Sequence, residues 1–524
     1  MFRIATKLSL PLFSLLVCVW LLSAYNLSFW QQTWLVASLP FIVSIAITLA
    51  AICYISLLLF SFKYTYKPLL IVSIVVAAFS AYAMNSYGFV ISTHGLQNFL
   101  ETDVREIIEL ISWRLFLYLI VLAVVPITIV LFTKLDYPTW RQRILHISLC
   151  IFLLLVNVIG FGRYYASFMR NNREIRYHMN PLRPIYSLVK FSWLKLYGAK
   201  NHVFVELDPH PQRIVGKGKP KLVVLVVGES DRAKNHQMNG YARHTTPLLA
   251  ARANVYSFKN FYSCGTETLV SVPCMFSIFK RTEYSAEKGQ YTENVLDLLQ
   301  KSRVQVLWRD NDSGCKGVCA RVPTDDLNYA QVAPFCHASE CYDEVLLHNL
   351  NEHIKNNIGD KLIVLHKHGN HGPAYYKRYP LEFNKFTPTC NSNELHKCTN
   401  AEIVNTYDNI IAYTDYFLDH TIKILEKNSA KYQTALIYVS DHGESLGENG
   451  IYLHAIPYLF APKEQKHIPF IVWFSDDFAI DKSRIAAQLQ QEFSHDHLFH
   501  TLLGMFNIQT SVYQSQLDIF AINR

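Results

Sequence analysis

Three apolar runs in the second half of the chain are each followed by residues that can bind a metal ion or transfer a proton. Leu222–Val227 precedes Glu229, Leu362–Leu365 precedes His366, His368 and His371, and Ala435–Val439 precedes Asp441 and His442. Carboxylates and imidazoles are the ligands that zinc and manganese take in proteins. We therefore predict a metal site at Glu229, Asp441 and His442, with one position left open for catalysis.

A second source of chemistry is the loop between Cys264 and Cys274, which carries Thr266 and Thr268. A threonine hydroxyl is a weak nucleophile unless a base or a metal activates it. A neighbouring metal would lower the pKa of the hydroxyl and screen the charge on an attacked phosphorus. Without a metal, the same stretch is a disulfide-closed surface loop whose threonines cap a helix. The joint placement of three ligand residues after predicted strands favours the catalytic interpretation.

An α/β fold would position these residues. Short, uninterrupted apolar runs alternate with helical stretches and predict a largely parallel sheet covered on both faces. The predicted strands are Leu222–Val227, Val304–Trp308, Leu362–Leu365, Ala435–Val439 and Ile468–Phe474. Ligands of such sheets bind beyond the carboxyl ends of the strands, which is where the candidate residues lie.

Residues 1–162 predict a membrane domain of five transmembrane helices, because each of five apolar runs is long enough to span a bilayer at about 17–25 residues. The runs are Leu8–Tyr25, Leu39–Phe62, Leu69–Tyr87, Leu115–Phe132 and Leu145–Phe161. Although the first run follows Arg3 and Lys7 as a signal peptide would, we predict a retained helix. Lys and Arg alternate between the connecting loops, and this places the amino terminus inside and the carboxy-terminal half outside.

Residues 163–215 predict an interfacial linker, because Arg and Lys are interleaved there with Tyr, Phe and Trp. An ordinary linker is the alternative. Residues 216–524 form the predicted soluble catalytic α/β domain, whose first strand follows the flexible stretch Gly216–Pro220.

Cysteine usage predicts an oxidising compartment for the soluble half. Three cysteines lie in apolar runs, and the other eight form close neighbours: Cys264 with Cys274, Cys315 with Cys319, Cys336 with Cys341, and Cys390 with Cys398. Four local disulfides account for this set, although a zinc site is the competing interpretation of Cys315 and Cys319. The net charge of +8 is modest for 524 residues and its basic residues form no stripe, so we expect no nucleic-acid partner.

Several motifs in one order resemble the phosphoethanolamine transferases of Gram-negative envelopes, the family that includes the lipid A-modifying and mobile colistin-resistance enzymes. The resemblance covers nearly the whole chain. It rests on Val227–Ser230, Asn239–Tyr241, Ser263–Thr268 with Ser271–Cys274, Asn311–Lys316, Gly369–Tyr379, Ser440–Ser445 and Ser494–His497. It implies five membrane helices, an interfacial linker and an outer domain of the alkaline phosphatase/sulfatase type.

The resemblance also implies roles for individual residues. Zinc would be held by Glu229, Thr268, Asp441 and His442, and Thr268 would be the nucleophile. His371 and His454 match positions that contact the phosphoryl group or a further zinc. The positions that match substrate-binding residues are Asn98 and Glu106 for the lipid donor, and Thr266, Ser313 and Lys316 near the donor headgroup. Glu267 departs from the family, in which smaller residues are common at that position.

The implied reaction has two steps. Thr268 attacks the phosphorus of phosphatidylethanolamine, diacylglycerol leaves, and a phosphate of lipid A then takes the phosphoethanolamine group. His371 or His454 would protonate the leaving oxygen. The implied setting is the bacterial inner membrane, with a monomer whose catalytic domain lies in the periplasm. Because added amines reduce the negative charge of lipid A, cationic peptides such as polymyxin would bind more weakly.

Other functions remain alternatives. In one alternative, the acceptor is a core-oligosaccharide group. In another, the donor is phosphatidylglycerol, as in the lipoteichoic acid synthases. A phosphatase would transfer the group to water. A sulfatase is disfavoured because neither Cys264 nor Cys274 begins the Cys-x-Pro-x-Arg pattern. A lipid-binding sensor without catalysis is a further class, and removal of the metal would leave its function intact. We expect His495, His497 and His500 to pack at the carboxy-terminal edge and not to bind metal.

Overall fold

The structure is a computed structural model that describes residues 7–87, 91, 96, 108, 110–171, 175–197, 203–216, 218–328, 330, 332–337, 340–356 and 358–521. These residues fall into two compact units, one formed mainly by residues up to 197 and one that begins at residue 203. The first unit is helical and the second is α/β. The predicted donor-site residues Asn98 and Glu106 lie outside the described residues.

Apolar helices dominate the first unit. The helices are Leu10–Ala24, Leu27–Val36, Leu39–Leu59, Tyr66–Tyr87, Trp113–Leu119, Val125–Phe132, Trp140–Gly160, Gly162–Asn171 and Leu182–Tyr197. A π-helical turn, Ile120–Val124, joins two of them into one span, Trp113–Phe132. Among the described residues, 4 helices are long and apolar enough to cross a membrane, or up to 5 if Leu10–Ala24 and Leu27–Val36 make one bent span. The chain is thus a multi-pass membrane protein.

The amino-terminal end of this unit differs from the prediction. We expected a loop over residues 26–38, but Leu27–Val36 is helical and meets the preceding helix at 69°. The segment carries six large apolar side chains in addition to its two glutamines, and Phe29 is buried. The packing of Phe29 and Trp30 therefore supports a helix between the first two predicted spans. The other predicted spans match helices whose ends shift by a few residues.

An eight-stranded sheet forms the centre of the second unit. We number its strands in chain order: β1 Lys221–Gly228, β2 Val255–Tyr262, β3 Gln305–Asp310, β4 Thr324–Asp326, β5 Lys361–His366, β6 Gln433–Ser440, β7 His467–Phe474 and β8 Glu492–Ser494. Their order across the sheet is β8-β2-β7-β6-β1-β5-β3-β4. Only β7 runs antiparallel to its neighbours β6 and β2. The prediction of a largely parallel sheet is confirmed.

Both faces of this sheet are buried, which explains why its central strands are uninterrupted apolar runs. In β1, Val223, Leu225 and Val227 pack into one core, and the alternate residues Leu222 and Val224 pack into the other. The covering helices are Pro247–Ala250, Thr268–Met275, Ala286–Gln290, Val295–Lys301, Leu350–Lys355, Asn400–Asn428, Lys482–Gln488 and Leu498–Met505.

Four disulfides staple the loops of this unit, and they join each predicted pair of neighbours. The bonds are Cys264–Cys274, Cys315–Cys319, Cys336–Cys341 and Cys390–Cys398. The zinc interpretation of Cys315 and Cys319 is therefore wrong. The remaining cysteines, Cys18, Cys53 and Cys150, are free and lie in membrane helices.

Candidate active site

The carboxyl ends of the neighbouring strands β1 and β6 bring Glu229, Asp441 and His442 together. Each offers one ligand atom, and these atoms all lie within 4.8 Å of one another. All three side chains are fully buried. The backbone of residue 369 lies directly against Glu229 and requires glycine. A Cβ at this position would lie 2.8 Å from the carbonyl oxygen of Glu229, and the φ of Gly369 is +54°.

Thr268 completes this cluster from the loop that follows β2. Its hydroxyl donates a hydrogen bond to Glu229 Oε2 at 2.9 Å and lies 3.4 Å from His442 Nε2. Thr268 is also the first residue of the helix Thr268–Met275. The unpaired N–H groups and the dipole at a helix amino terminus favour negative charge on the Thr268 oxygen or on a phosphate beside it.

The donor set fits a metal cation. His442 Nδ1 donates to the carbonyl of Gly443 at 2.9 Å, so its Nε2 carries a lone pair. That lone pair lies 3.3 Å from Asp441 Oδ2 and 3.5 Å from Glu229 Oε1. Asp441 Oδ2 is buried and has no hydrogen-bond partner. Because three electron-pair donors converge and no proton donor reaches Asp441 Oδ2, these residues could hold a cation such as zinc.

Burial away from solvent shifts the pKa values of the three ionisable side chains in this cluster. Burial, and then repulsion from Asp441, raises the pKa of the Glu229 carboxyl. Burial raises the pKa of Asp441 to about 6. It lowers the pKa of His442 to about 4, with repulsion from His454 acting in the same direction. The side chains therefore resist carrying uncompensated charge, as expected of a site that a cation would neutralise.

His454 and His371 lie beside the cluster. The ring of His454 is 4.4 Å from that of His442 and 5.5 Å from that of His371, measured between centroids. His454 Nδ1 lies 3.3 Å from Glu444 Oε2, and burial raises the pKa of Glu444 to about 8. Imidazoles placed beside the residues that contact Thr268 can supply a proton to a leaving oxygen in a bound substrate.

Ser313 and Lys316 contact each other at the end of β3. Lys316 Nζ donates to Ser313 Oγ at 2.8 Å, and Ser313 Oγ donates to Asp312 at 3.1 Å. Asp312 in turn lies 3.2 Å from His368 Nδ1 and 3.9 Å from His371 Nδ1. Asp312 thus connects the predicted headgroup residues to the histidines. With His368 and His371 it forms a further group that could hold a metal ion, and with Glu229 and His366 another.

The two residues before Thr268 are buried. Thr266 donates its hydroxyl to the carbonyl of Ile456 at 2.6 Å, so that proton is already engaged within the protein. The Glu267 side chain is 9% exposed, and burial raises its pKa to about 7. At neutral pH a large fraction of Glu267 is therefore uncharged beside Thr268.

Two residues that position the site were missed by sequence reasoning. His495, in the first turn after β8, accepts a hydrogen bond from the Cys264 N–H at 3.0 Å and donates to the Ser440 carbonyl at 3.0 Å. Ser271 donates to the Asp441 carbonyl and accepts from Gly265 N–H at 3.2 Å. Both join the segment around Thr268 to the end of the strand that precedes Asp441. No local pattern could indicate the contact of Ser271 with Asp441 or those of His495 with Cys264 and Ser440, which span 170, 231 and 55 residues.

Asp312 was also missed, although a signal for it existed. It follows β3, a predicted strand of the same sheet, just as Glu229 follows β1. Inspecting that strand end by the same rule would have found it.

The fold and the site can now be compared with known protein families. Residues 221–508 match the sulfatase family model, and the soluble unit therefore has the alkaline phosphatase/sulfatase type of fold that was predicted. Residues 49–195 match the model described as phosphoethanolamine transferase EptA/EptB.

Similarity to individual proteins identifies the family to which the chain belongs. The chain is 40% identical over 534 residues to phosphoethanolamine transferase EptA of Escherichia coli K12, covering 98% of this chain and 97% of the relative. It is 40% identical over 511 residues to phosphatidylethanolamine transferase Mcr-1 of Escherichia coli, covering 94% of each. The solved membrane protein lipooligosaccharide phosphoethanolamine transferase A from Neisseria meningitidis superposes with a TM-score of 0.93 at 36% identity, covering 98% of this chain and 99% of that one. The chain belongs to the phosphoethanolamine transferase family.

Proposed function

We propose that this protein transfers phosphoethanolamine from phosphatidylethanolamine to a phosphate of lipid A through a covalent intermediate on Thr268. The observation that carries this proposal is the Thr268 hydroxyl, held 2.9 Å from Glu229 at a helix amino terminus inside the ligand cluster. The solved relative from Neisseria meningitidis, whose name specifies a lipooligosaccharide acceptor, supports the class of acceptor.

Glu229, Asp441, His442 and Thr268 would hold zinc, which when bound supplies the Lewis acidity that lowers the pKa of a hydroxyl and offsets charge on phosphorus. The residues of the chain orient the Thr268 hydroxyl and accept or donate protons. Glu229 Oε2 accepts the Thr268 proton, and the helix amino terminus stabilises the negative charge that remains.

In the first step the Thr268 oxygen forms a bond to phosphorus while the bond to the diacylglycerol oxygen breaks. His454 or His371 donates a proton to that oxygen, and diacylglycerol leaves. In the second step a P–OH group of the acceptor phosphate gives its proton to the imidazole that protonated diacylglycerol, and its oxygen attacks the same phosphorus. The bond between Thr268 and phosphorus breaks, and Glu229 returns the proton to the Thr268 oxygen. Because both steps displace one oxygen by another, the protein mainly positions groups and stabilises charge.

We further propose a periplasmic catalytic domain carried by the inner membrane, a monomer, and an interfacial linker at residues 163–215. The four disulfides of the soluble unit support the oxidising compartment. Ser313, Lys316 and Thr266 are proposed to line the donor headgroup site, and Asn98 and Glu106 to contact the lipid donor.

The test is a transfer assay with the purified full-length protein in detergent. Phosphatidylethanolamine and phosphatidylglycerol, each labelled in the headgroup, are offered with lipid A, and the products are separated by mass spectrometry. We expect labelled phosphoethanolamine on lipid A and none from phosphatidylglycerol. Transfer from phosphatidylglycerol would support the phosphoglycerol alternative, and release of free phosphoethanolamine without product on lipid A would indicate a phosphatase.

A further inference from the structure

Two cations lie around one aromatic ring next to the loop of residues 263–267, which leads to Thr268. They have no role in the proposed reaction. The guanidinium of Arg281 lies 4.3 Å from the centroid of the Tyr458 ring, and Lys466 Nζ lies 5.3 Å from it. Lys466 Nζ also donates to the Tyr458 carbonyl at 3.3 Å. We call Arg281, Tyr458 and Lys466 the cation cluster.

The carboxylates of Asp496 and Glu492 act electrostatically on the Tyr458 ring, but neither forms an ion pair with Arg281 or Lys466. Among the residues that the structure describes, no carboxylate forms an ion pair with Arg281 or Lys466. The carboxylate that contacts Arg281, that of Asp496, accepts a hydrogen bond from its backbone N–H at 2.8 Å and not from its guanidinium. Burial, and then repulsion from Arg281, lowers the pKa of Lys466. Two like charges held on one ring repel each other, and a bound anion would relieve that repulsion.

The cluster is tied to the reacting loop by short contacts. The Thr266 hydroxyl donates to the carbonyl of Ile456, two residues before Tyr458, and the N–H of Ala455 donates to the Thr266 carbonyl at 2.7 Å. Two residues span at most roughly 7 Å of chain. From the other side, Ser263 N–H donates to the carbonyl of Lys466 at 2.9 Å. A group bound at the cluster is therefore held at a fixed position relative to the loop that carries Thr268.

We propose that the cation cluster binds an anionic phosphate of the lipid acceptor and so positions the acceptor for the second step. Phosphate is the partner that a guanidinium and an ammonium recognise together. Leu459, which follows Tyr458 and is 72% exposed, gives the same loop an apolar contact for a lipid, which a free phosphate ion would not use. This inference rests on the proposed function, because it assigns a binding site to the acceptor of that reaction.

The experiment measures the KM of the acceptor and the KM of the donor separately, in the transfer assay with full-length protein. The test variant is Arg281→Gln with Lys466→Gln. The matched control is Lys280→Gln with Lys463→Gln, which removes the same charge from two exposed lysines that do not contact the Tyr458 ring. Because the test variant removes two charge-assisted contacts to the acceptor phosphate, we expect its acceptor KM to rise at least about tenfold.

The donor KM should change less than twofold in the test variant, and both KM values should change less than twofold in the control. Tyr458→Phe, which keeps the ring, should retain the wild-type acceptor KM, and Tyr458→Ala should raise it. An unchanged acceptor KM in the test variant, or an equal rise in the control, would overturn the proposal while transfer to lipid A continued. Absence of transfer by the wild-type protein would instead refute the proposed function.

A competition arm distinguishes a lipid from a free ion. Inorganic phosphate added at the concentration of the acceptor KM should not inhibit transfer, whereas an unreactive phosphorylated lipid analogue should compete with the acceptor. Equal competition by inorganic phosphate would show that the cluster binds free phosphate, and this result would contradict the assignment to a lipid.

Discussion

Replacing His495 with alanine should separate the positioning of the nucleophile from the chemistry itself. His495 is 1% exposed, and it joins the Cys264 N–H to the Ser440 carbonyl by two hydrogen bonds of 3.0 Å. The substitution leaves both backbone groups buried without a partner. Each such group costs about 1–3 kcal/mol, so we expect a destabilisation of about 2–6 kcal/mol.

The catalytic effect should be larger than the loss of stability suggests. Cys264 begins the loop that carries Thr268, and Ser440 directly precedes Asp441. Without the bridge, the loop and the strand can separate, and a misplacement of about 1 Å can reduce the rate about 100-fold. The assay measures the kcat of transfer and the melting temperature of the same preparations.

Two conservative variants and a control sharpen the comparison. Asparagine can keep the acceptor near Nδ1 and glutamine the donor near Nε2, so His495→Asn and His495→Gln should each recover part of the kcat. His500→Ala removes another buried histidine, one that accepts from Gln514 N–H at 3.3 Å, and should lower the melting temperature without the loss in kcat. If His495→Ala lowered the melting temperature but kept the wild-type kcat, the positioning role would be refuted.

Three further predictions concern the disulfide, a buried carboxyl and the metal. Replacing Cys264 and Cys274 with serine opens a loop of 10 residues and should cost about 2–3 kcal/mol, seen as a lower melting temperature and a reduced kcat; an unchanged kcat would mean that the staple does not position Thr268. Burial raises the pKa of Asp415 to about 6 from 3.8, so the folded state binds this proton more tightly than the unfolded state. The stability of the wild type relative to Asp415→Asn should therefore fall by about 2 kcal/mol as the pH rises from 4 to 8, in denaturant titrations, and a flat difference would contradict the shift. Chelation should abolish transfer and zinc should restore it, whereas full activity of a protein shown by elemental analysis to be metal-free would exclude a metal role.

The sheet was predictable because its central strands are buried on both faces. Leu222–Val227 and Ala435–Val439 have no polar interruption, so their sequences show strand and burial together. Strand β2, Val255–Tyr262, was missed because Ser257, Lys259 and Asn260 break its apolar run. Its place in the sheet depends on pairing with β7 and β8, which lie more than 200 residues away in the chain and leave no local signal.

In the candidate site, too, residues that follow a buried strand could be predicted, whereas residues placed by long-range contacts could not. Glu229, Asp441 and His442 follow predicted parallel strands, and the geometry of such sheets brings strand ends to one edge. Thr268 lies on a loop whose path is set by long-range contacts, and its selection over Thr266 depended on the family resemblance. The structure adds a physical reason for that selection, since Thr268 donates to Glu229 whereas Thr266 donates to a backbone carbonyl. His495 could not be identified in this way, because its partners are backbone groups.

The central claim is that Thr268 carries the phosphoethanolamine group between donor and acceptor. The most direct measurement is peptide mass spectrometry of the full-length protein after incubation with phosphatidylethanolamine in the absence of acceptor. We predict that the peptide with Thr268 gains the mass of one phosphoethanolamine group, which it loses when lipid A is added. Thr268→Ala, with its melting temperature and four disulfides retained, should show neither the adduct nor transfer. Wild-type transfer by that variant would contradict the account.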